Sequence, residues 1–193
     1  MKNDIILAGV GGQGILSIAA VIGYAAVQSG LSLKQAEVHG MSQRGGDVQS
    51  HLRISDSEIF SDLVPYGSAN MILSVEPMES LRYLPYLARQ GWLITNTTPF
   101  KNIPNYPDEA TVMQDVNALP QHVAVNADAI AKELGSGRSA NMVMLGAASP
   151  FLDLAFDKLN DGIQFIFGRK GEKIVNMNMK ALEAGRKAAE ATR

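Results

Sequence analysis

From Ile5 to Leu33 the chain carries no charged side chain, and this run constrains its fold more than any other feature. Uncharged sequence of that length has to be buried, in a protein core or in a bilayer. Its most continuous apolar part, "ILSIAAVIGYAAV", is 13 residues long, and a spanning helix needs roughly 20. Burial in a protein core is the expectation, with no membrane span. "DIILAGV" (4–10) is branched and apolar without polar alternation, as a strand covered on both faces reads. Gly11 to Gly14 make a turn, and 15–28 is a helix that stops at Gly30, a residue suited to a C-terminal cap. Strand, glycine loop and helix, uncharged from Ile5 onward, predict a helix packed on a buried parallel sheet.

The rest of the chain extends the same rhythm. "LKQAEV" (33–38) is the second strand. "VQSHLRIS" (48–55) alternates apolar and polar residues, and "EIFSDLV" (58–64) follows "DS", so the two are expected to pair as an antiparallel hairpin. "ANMILSV" (69–75) is a strand, "MESLRYLPYLA" (78–88) a helix interrupted at Pro85, and "GWLITN" (91–96) another strand. Residues 97–107 hold three prolines and read as a loop. "HVAVN" (122–126) is a strand leading into "ADAIAKELG". Helices close the chain: "SANMVMLGAAS", "LDLAFDKLNDGIQFIF" and a tail from about Glu172, where Val175, Met179 and Leu182 form one apolar stripe. The Met-rich "NMVM" reads as helix core. With no repeat and no dividing linker, residues 1–193 are expected to form a single α/β domain. It would be an open, mostly parallel, Rossmann-like sheet with an inserted antiparallel hairpin and C-terminal helices.

Composition narrows the chemistry. Apolar residues are 46% of the 193, charged residues 19%, and the net charge is −2. Without a basic block, binding of nucleic acid through its phosphates is not expected. Cys is absent. That excludes disulfides, thiolate nucleophiles, zinc–thiolate sites and an iron–sulfur cluster held by this chain alone. The three His, at 39, 51 and 122, are scattered and give no metal-ligand spacing. Asn3-Asp4 precede an apolar run that soon breaks into glycine, so no signal peptide is readable and a cytoplasmic location is expected.

"GVGGQG" fits G-x-G-x-x-G at Gly9, Gly11 and Gly14, between a strand and a helix as the pattern requires. Gly9 permits the tight turn, Gly11 lets backbone approach a phosphate, and Gly14 lets the helix pack close to the strand. The helix N-terminus then offers N–H groups and partial positive charge to an anion. The same glycines could instead do no more than close the turn. Glu37 stands near the place of the acid that holds a ribose in dinucleotide folds, which supports a nicotinamide enzyme. Against it, "HGMSQRGG" and a hairpin fill the space the adenosine ribose would need. Arg44, followed by Gly45-Gly46, lies near the end of the second strand, where open α/β sheets bind ligands. It can grip a phosphate or carboxylate through two hydrogen bonds. The alternative is a pair with Glu37 or Asp47 that merely holds the loop. Glu76-Pro77 and Asn96-Thr97-Thr98 follow predicted strands and could line the same crevice, although a strand-end loop more often serves structure. His39 reads as a hydrogen-bonded loop residue, Asn141 carries no assigned role, and no catalytic acid, base, nucleophile or metal site is named.

In this order, "GVGGQG", "EVHGMSQRGGDV", "SVEP" and "NMVMLGA" resemble the gamma-type subunit of 2-oxoacid:ferredoxin oxidoreductases. In two-subunit indolepyruvate:ferredoxin oxidoreductases the equivalent chain is called beta. "HGMSQRGG" is far more specific than the glycine loop, and the likeness runs from about residue 4 to 150. The resemblance implies a complex that oxidatively decarboxylates a 2-oxoacid, such as indolepyruvate or pyruvate, with thiamine diphosphate and Mg. Two electrons pass through 4Fe-4S clusters to ferredoxin, and an acyl-CoA is released. The thiamine diphosphate and iron–sulfur clusters would belong to partner subunits, leaving this chain inactive alone and concerned with coenzyme A access and assembly. The ligand-facing residues would be Gly9, Gly11, Gly12, Gln13 and Gly14 with Ser42, Gln43 and Arg44, meeting a coenzyme A phosphate. A free-standing NAD(P)-dependent oxidoreductase using Glu37 is the competing reading.

Overall fold

The structure, a computed structural model, describes residues 1–39, 45–101 and 103–192. Six strands form one sheet: β1 (Lys2–Val10), β2 (Ser32–His39), β3 (Asp47–Ser55), β4 (Ala69–Ser74), β5 (Leu87–Asn96) and β6 (His122–Val125). Their spatial order is β2-β3-β1-β4-β5-β6. β1, β4, β5 and β6 run parallel. β3 is antiparallel to β1 on one side and to β2 on the other. Sequence and structure thus agree on a mixed, mostly parallel α/β sheet with an antiparallel pair and C-terminal helices.

Strand alternation sorts side chains onto two covered faces. Ile5 and Leu7 of β1 join a core with α1 (Ile15–Gln28), α4 (Ala127–Glu133), α5 (Ala140–Ala148), α6 (Phe156–Phe167) and α7 (Glu172–Ala191). Ile6 and Ala8 face the other way, toward Tyr83 beyond α2 (Pro77–Arg82) and Val116 of α3 (Glu109–Asn117). Both faces of β1 are therefore dry, which is why its sequence shows no polar alternation. On the larger face α5 and α7 touch backbone to backbone. A methyl on Gly185 would lie 1.9 Å from the Val143 carbonyl oxygen, and one on Gly146 would lie 2.0 Å from that of Leu182.

The antiparallel hairpin differs from the expected one. Its strands are β2 and β3, in register from Ser32↔Ser55 to His39↔Val48, and residues 58–64 form no strand. The reason is topological: both hydrogen-bonding edges of β3 are already taken, by β1 and β2, so 58–64 has no edge to join. Side chains hold that segment instead. Arg53 grips Asp4 through Nε at 2.7 Å and Nη2 at 3.1 Å, and its Nη1 donates to the carbonyls of Ser61 and Leu63 at 3.0 and 3.1 Å. The Val64 amide donates to His51 Nδ1 at 3.0 Å.

Two further boundaries moved. The helix expected over 78–88 ends at Arg82 and gives way to a 3-10 turn at Leu84–Tyr86, after which β5 begins at Leu87. Pro85 cannot donate and crowds the preceding turn, so the helix stops before it. A helix that sequence reasoning did not name, α3, follows the proline loop and is capped by Asp108, which accepts from the Thr111 amide at 3.0 Å.

Candidate functional site

The parallel strands β1, β4, β5 and β6 all deliver their carboxyl ends to one rim of the sheet, where open α/β folds bind ligands. The glycine loop lies there. Gln13 folds back over it: its Oε1 accepts from the Val10 amide at 2.7 Å, and its Nε2 donates to the Val75 carbonyl at 3.4 Å. That one side chain ties the loop to the ends of two neighbouring strands. Gly9 has no room for a side chain, since a methyl would sit 2.4 Å from Val75 Cγ2. Gly14, at φ 81°, begins α1 without a capping side chain, and no acid occupies the first turn. A methyl there would meet Asn141 Nδ2 at 2.5 Å, and this same Asn141 group donates to the Gly14 carbonyl at 3.1 Å. Asn141 therefore sets the position of Gly14 from the start of α5.

Gly11 behaves differently from a phosphate-facing glycine. Its amide donates to the Gly46 carbonyl at 2.8 Å, and its carbonyl accepts from the Gly45 amide at 3.4 Å. The loop thus continues the β1–β3 ladder for one more residue, and the Gly11 N–H is engaged. Gly12, at φ 102°, has nothing within 4 Å of the place a side chain would occupy. It faces a cleft of about 350 Å³ that Gln13, Gly14 and Ser17 share with Arg138 and Lys170. The Lys170 ammonium stands 5.3 Å from the centre of the Phe167 ring, which steadies it at the cleft wall. Ser42, Gln43 and Arg44 lie outside the described residues.

The other strand ends are structural. Glu76 is fully buried and caps α2, accepting from the Glu79 amide at 2.8 Å, the Phe100 amide at 3.2 Å and the Tyr106 hydroxyl. Burial, and then the Glu76 hydrogen bond, push the Tyr106 phenol well above its ordinary range, so it stays a donor. Asn96 donates to the Val75 carbonyl and to Asp128, and accepts from the amides of Ala127 and Thr98. Its polar atoms hold β4, β5 and α4 together, leaving none for a ligand. Burial raises the Glu79 carboxyl, against the opposing hydrogen bond and charge of Arg82. His51 is buried, with Nδ1 occupied by Val64 and Nε2 3.1 Å from the Gln49 amide. Among the described residues no three His, Asp or Glu converge on a possible metal position, and no helix is long and apolar enough to cross a membrane.

The same sheet order bears on the nicotinamide reading. In dinucleotide folds the acid that holds the ribose ends the strand directly beside β1. Here β3 takes that place, and Glu37, on β2, is two strand spacings from β1, about 10 Å. The geometry on which that reading rests is absent.

Sequence comparison decides the family. Residues 4–188 match the pyruvate ferredoxin/flavodoxin oxidoreductase family. The chain belongs to it. Within this family it is the gamma-type, non-cluster subunit of a 2-oxoacid:ferredoxin oxidoreductase, and so part of a multisubunit complex. It is 36% identical to the indolepyruvate oxidoreductase subunit IorB of Thermococcus kodakarensis, over 98% of this chain and 96% of that one. The keto/oxoacid ferredoxin oxidoreductase gamma subunit of Geobacter sulfurreducens shares its fold, with a TM-score of 0.71 at 24% identity over 98% and 99% of the two chains. The 2-oxoglutarate:ferredoxin oxidoreductase of Magnetococcus marinus, solved with 2-oxoglutarate, coenzyme A and succinyl-CoA, superposes with a TM-score of 0.77 at 23% identity. The match covers 98% of this chain but 31% of that one.

Arg138, Lys170 and Ser17 were not among the residues read from the sequence as facing a ligand. A signal was available for the first two: "GSGRS" and "GRKG" set a basic residue in a short glycine-containing turn, as "RGG" does for Arg44.

Proposed function

We propose that this gamma-type subunit contributes the coenzyme A approach to its complex. Thiamine diphosphate, Mg and the 4Fe-4S clusters would sit on partner subunits, and ferredoxin would take electrons from those clusters. One observation carries the proposal. The chain has no Cys with which to hold a cluster, yet at the ligand-binding rim it keeps an uncapped helix start facing a cleft with two cations. Phosphate esters are the anions that such a rim suits. Coenzyme A is bound in the Magnetococcus marinus enzyme, whose longer chain includes a region of this fold.

The oxoacid is proposed to be of the aryl kind, since the Thermococcus kodakarensis relative matched from end to end is named for indolepyruvate. Its carbonyl chemistry belongs to the partner. The domain assignment, one unit over residues 1–193, is part of the same proposal.

Purification of this chain with its native partners tests the reading. The complex should show cluster absorbance, contain thiamine diphosphate and oxidise indolepyruvate ahead of pyruvate and 2-oxoglutarate only when coenzyme A is present. A chain that purifies without partners and reduces a nicotinamide on its own would overturn it.

A further inference from the structure

Residues 58–64 form no strand, yet the fold holds them firmly. Two of their side chains point inward, Ile59 at 9% exposure and Val64 at 2%. Arg53 takes the carbonyls of Ser61 and Leu63, His51 takes the Val64 amide, and the Ser61 hydroxyl accepts from the Leu63 amide at 3.2 Å. What this scaffold displays is apolar. Phe60 is 86% exposed, Leu63 55% and Tyr66 72%. The Tyr66 ring stands 4.5 Å from that of Tyr86, which packs in turn against the ring of buried His51. Single exposed apolar side chains are ordinary on a protein surface. Three at every third position of a pinned segment are not, and none of the three belongs to either core. Held out in water, they contribute little to this chain's own stability.

The same stretch is acidic. Asp56, Glu58 and Asp62 lie close together, with no Lys or Arg between Ile54 and Tyr66. Asp56 pairs with the N-terminal ammonium and Asp62 with Lys34 at 3.2 Å. Glu58 is exposed and has no ion pair among the described residues. We propose that residues 58–66 anchor this chain to a partner subunit of its complex, with Phe60, Leu63 and Tyr66 entering an apolar pocket that basic side chains surround. The chain belongs to a multisubunit complex, so part of its surface is covered in the working enzyme. Aromatic anchors inside a polar rim are a common form of such contacts, and side chains fixed beforehand lose little freedom on docking. A second copy of this chain does not suit the surface, because it would set acids against acids. The segment lies beside Asp4 and Arg53, toward the amino end of β1, whereas the glycine loop follows its carboxyl end. Coenzyme A use plays no part in this contact.

Titration of the full chain, fluorescently labelled, into its native partner subunits purified without it measures the contact. Phe60→Ala and Tyr66→Ala should each weaken association about 30-fold or more, the scale of an interface hot spot. Phe165→Ala is the control: its ring is 65% exposed on α6, stacked on Tyr24, and this variant should bind as the parent does. Glu58→Gln should bind more weakly than the parent at low salt and equally at high salt, because an exposed charge is screened there. The lone Phe60→Ala chain should melt at the parent temperature, since the ring it loses stands in water. Hydrogen exchange within residues 58–66 of the parent should slow when the partner binds.

Normal binding by a chain carrying Phe60→Ala, Leu63→Ala and Tyr66→Ala together would overturn the proposal, as would partners that take up none of the parent chain. A parent chain that is dimeric alone and becomes monomeric on Phe60→Ala would overturn it too, since a second copy would then be the occupant. Weakened binding accompanied by a lowered melt, with exchange in 58–66 unchanged by the partner, would mean that these side chains serve the fold and not a contact.

Discussion

Gly185→Ala should destabilise this chain, although helix propensity alone says the opposite. Ala is better than Gly inside a helix by about 1 kcal/mol, and Gly185 lies within α7 without a positive φ. Its missing side chain is what allows α7 to touch α5. The added methyl would stand 1.9 Å from the Val143 carbonyl oxygen and 3.0 Å from the Ala147 nitrogen. Both are backbone atoms, which cannot rotate aside, so the helices must part by about 1.5 Å to reach ordinary contact. Overpacking of this kind costs about 1–3 kcal/mol, and the rigid backbone partner puts Gly185 at the upper end. After the gain in propensity about 1–2 kcal/mol of destabilisation remains, a fall in Tm of about 2–8 °C for a chain of this size. Gly23→Ala in α1 is the comparison: its methyl meets only the movable end of Leu33 at 3.0 Å, so stability should change little. Thermal unfolding followed by circular dichroism reads both. A Gly185→Ala chain that melts at or above the parent would refute the backbone contact between α5 and α7.

Other perturbations follow from the buried polar groups. Arg53→Met removes one of the two cations on buried Asp4, leaving Lys2 Nζ at 3.0 Å, and frees the carbonyls of Ser61 and Leu63; losing that charged hydrogen bonding should cost about 1.5–3 kcal/mol. Limited proteolysis should then cut first within residues 56–64, and an unchanged cleavage pattern would show that Arg53 does not hold that segment. Burial, and then the charge of Arg53, hold the His51 imidazole below its ordinary 6.5. Its contribution to stability is therefore present above pH 6.5 and is lost as pH falls toward the lower folded value, because the unfolded chain takes up the proton first. The raised Glu79 carboxyl acts with the opposite sign, so the test is a difference: urea unfolding of parent and His51→Gln should converge as pH drops from 7 to 5, and parallel curves would contradict the buried neutral His51. Asn141→Ala should leave the melt nearly unchanged but speed hydrogen exchange across residues 11–17, since Asn141 positions Gly14; unaltered exchange would remove that role.

The opening of the chain was legible because its signals are local. A strand with no polar alternation, glycines at fixed spacing and an uncharged helix each describe their own burial. The position of β3 was not legible in the same way. Alternation in "VQSHLRIS" tells which side chains share a face, not which strand lies alongside, and its two partners are β1 and β2. "EIFSDLV" alternates too, yet finds no open edge of β3 and is pinned by Arg53 and His51. The motif named Gly12, Gln13 and Gly14, which the fold places along the cleft, and Gly11, whose amide is spent on Gly46. Arg138 and Lys170 reach the loop only because α5, α6 and α7 stack on the same face as α1, a consequence of packing over more than a hundred residues of separation. Asn141 was visible in the sequence without a role. Its role is a single hydrogen bond to Gly14, which no spacing rule describes.

Reconstitution by omission tests most directly the claim that this is a non-cluster subunit serving coenzyme A use. Partner subunits are assembled with and without this chain, and 2-oxoacid-dependent ferredoxin reduction is followed over a range of coenzyme A concentrations. The chain alone should be colourless and inactive, the partners alone should lose coenzyme A-dependent turnover, and the two together should recover it. Full coenzyme A-dependent turnover by the partners without this chain, or ferredoxin reduction by this chain alone, would contradict the account.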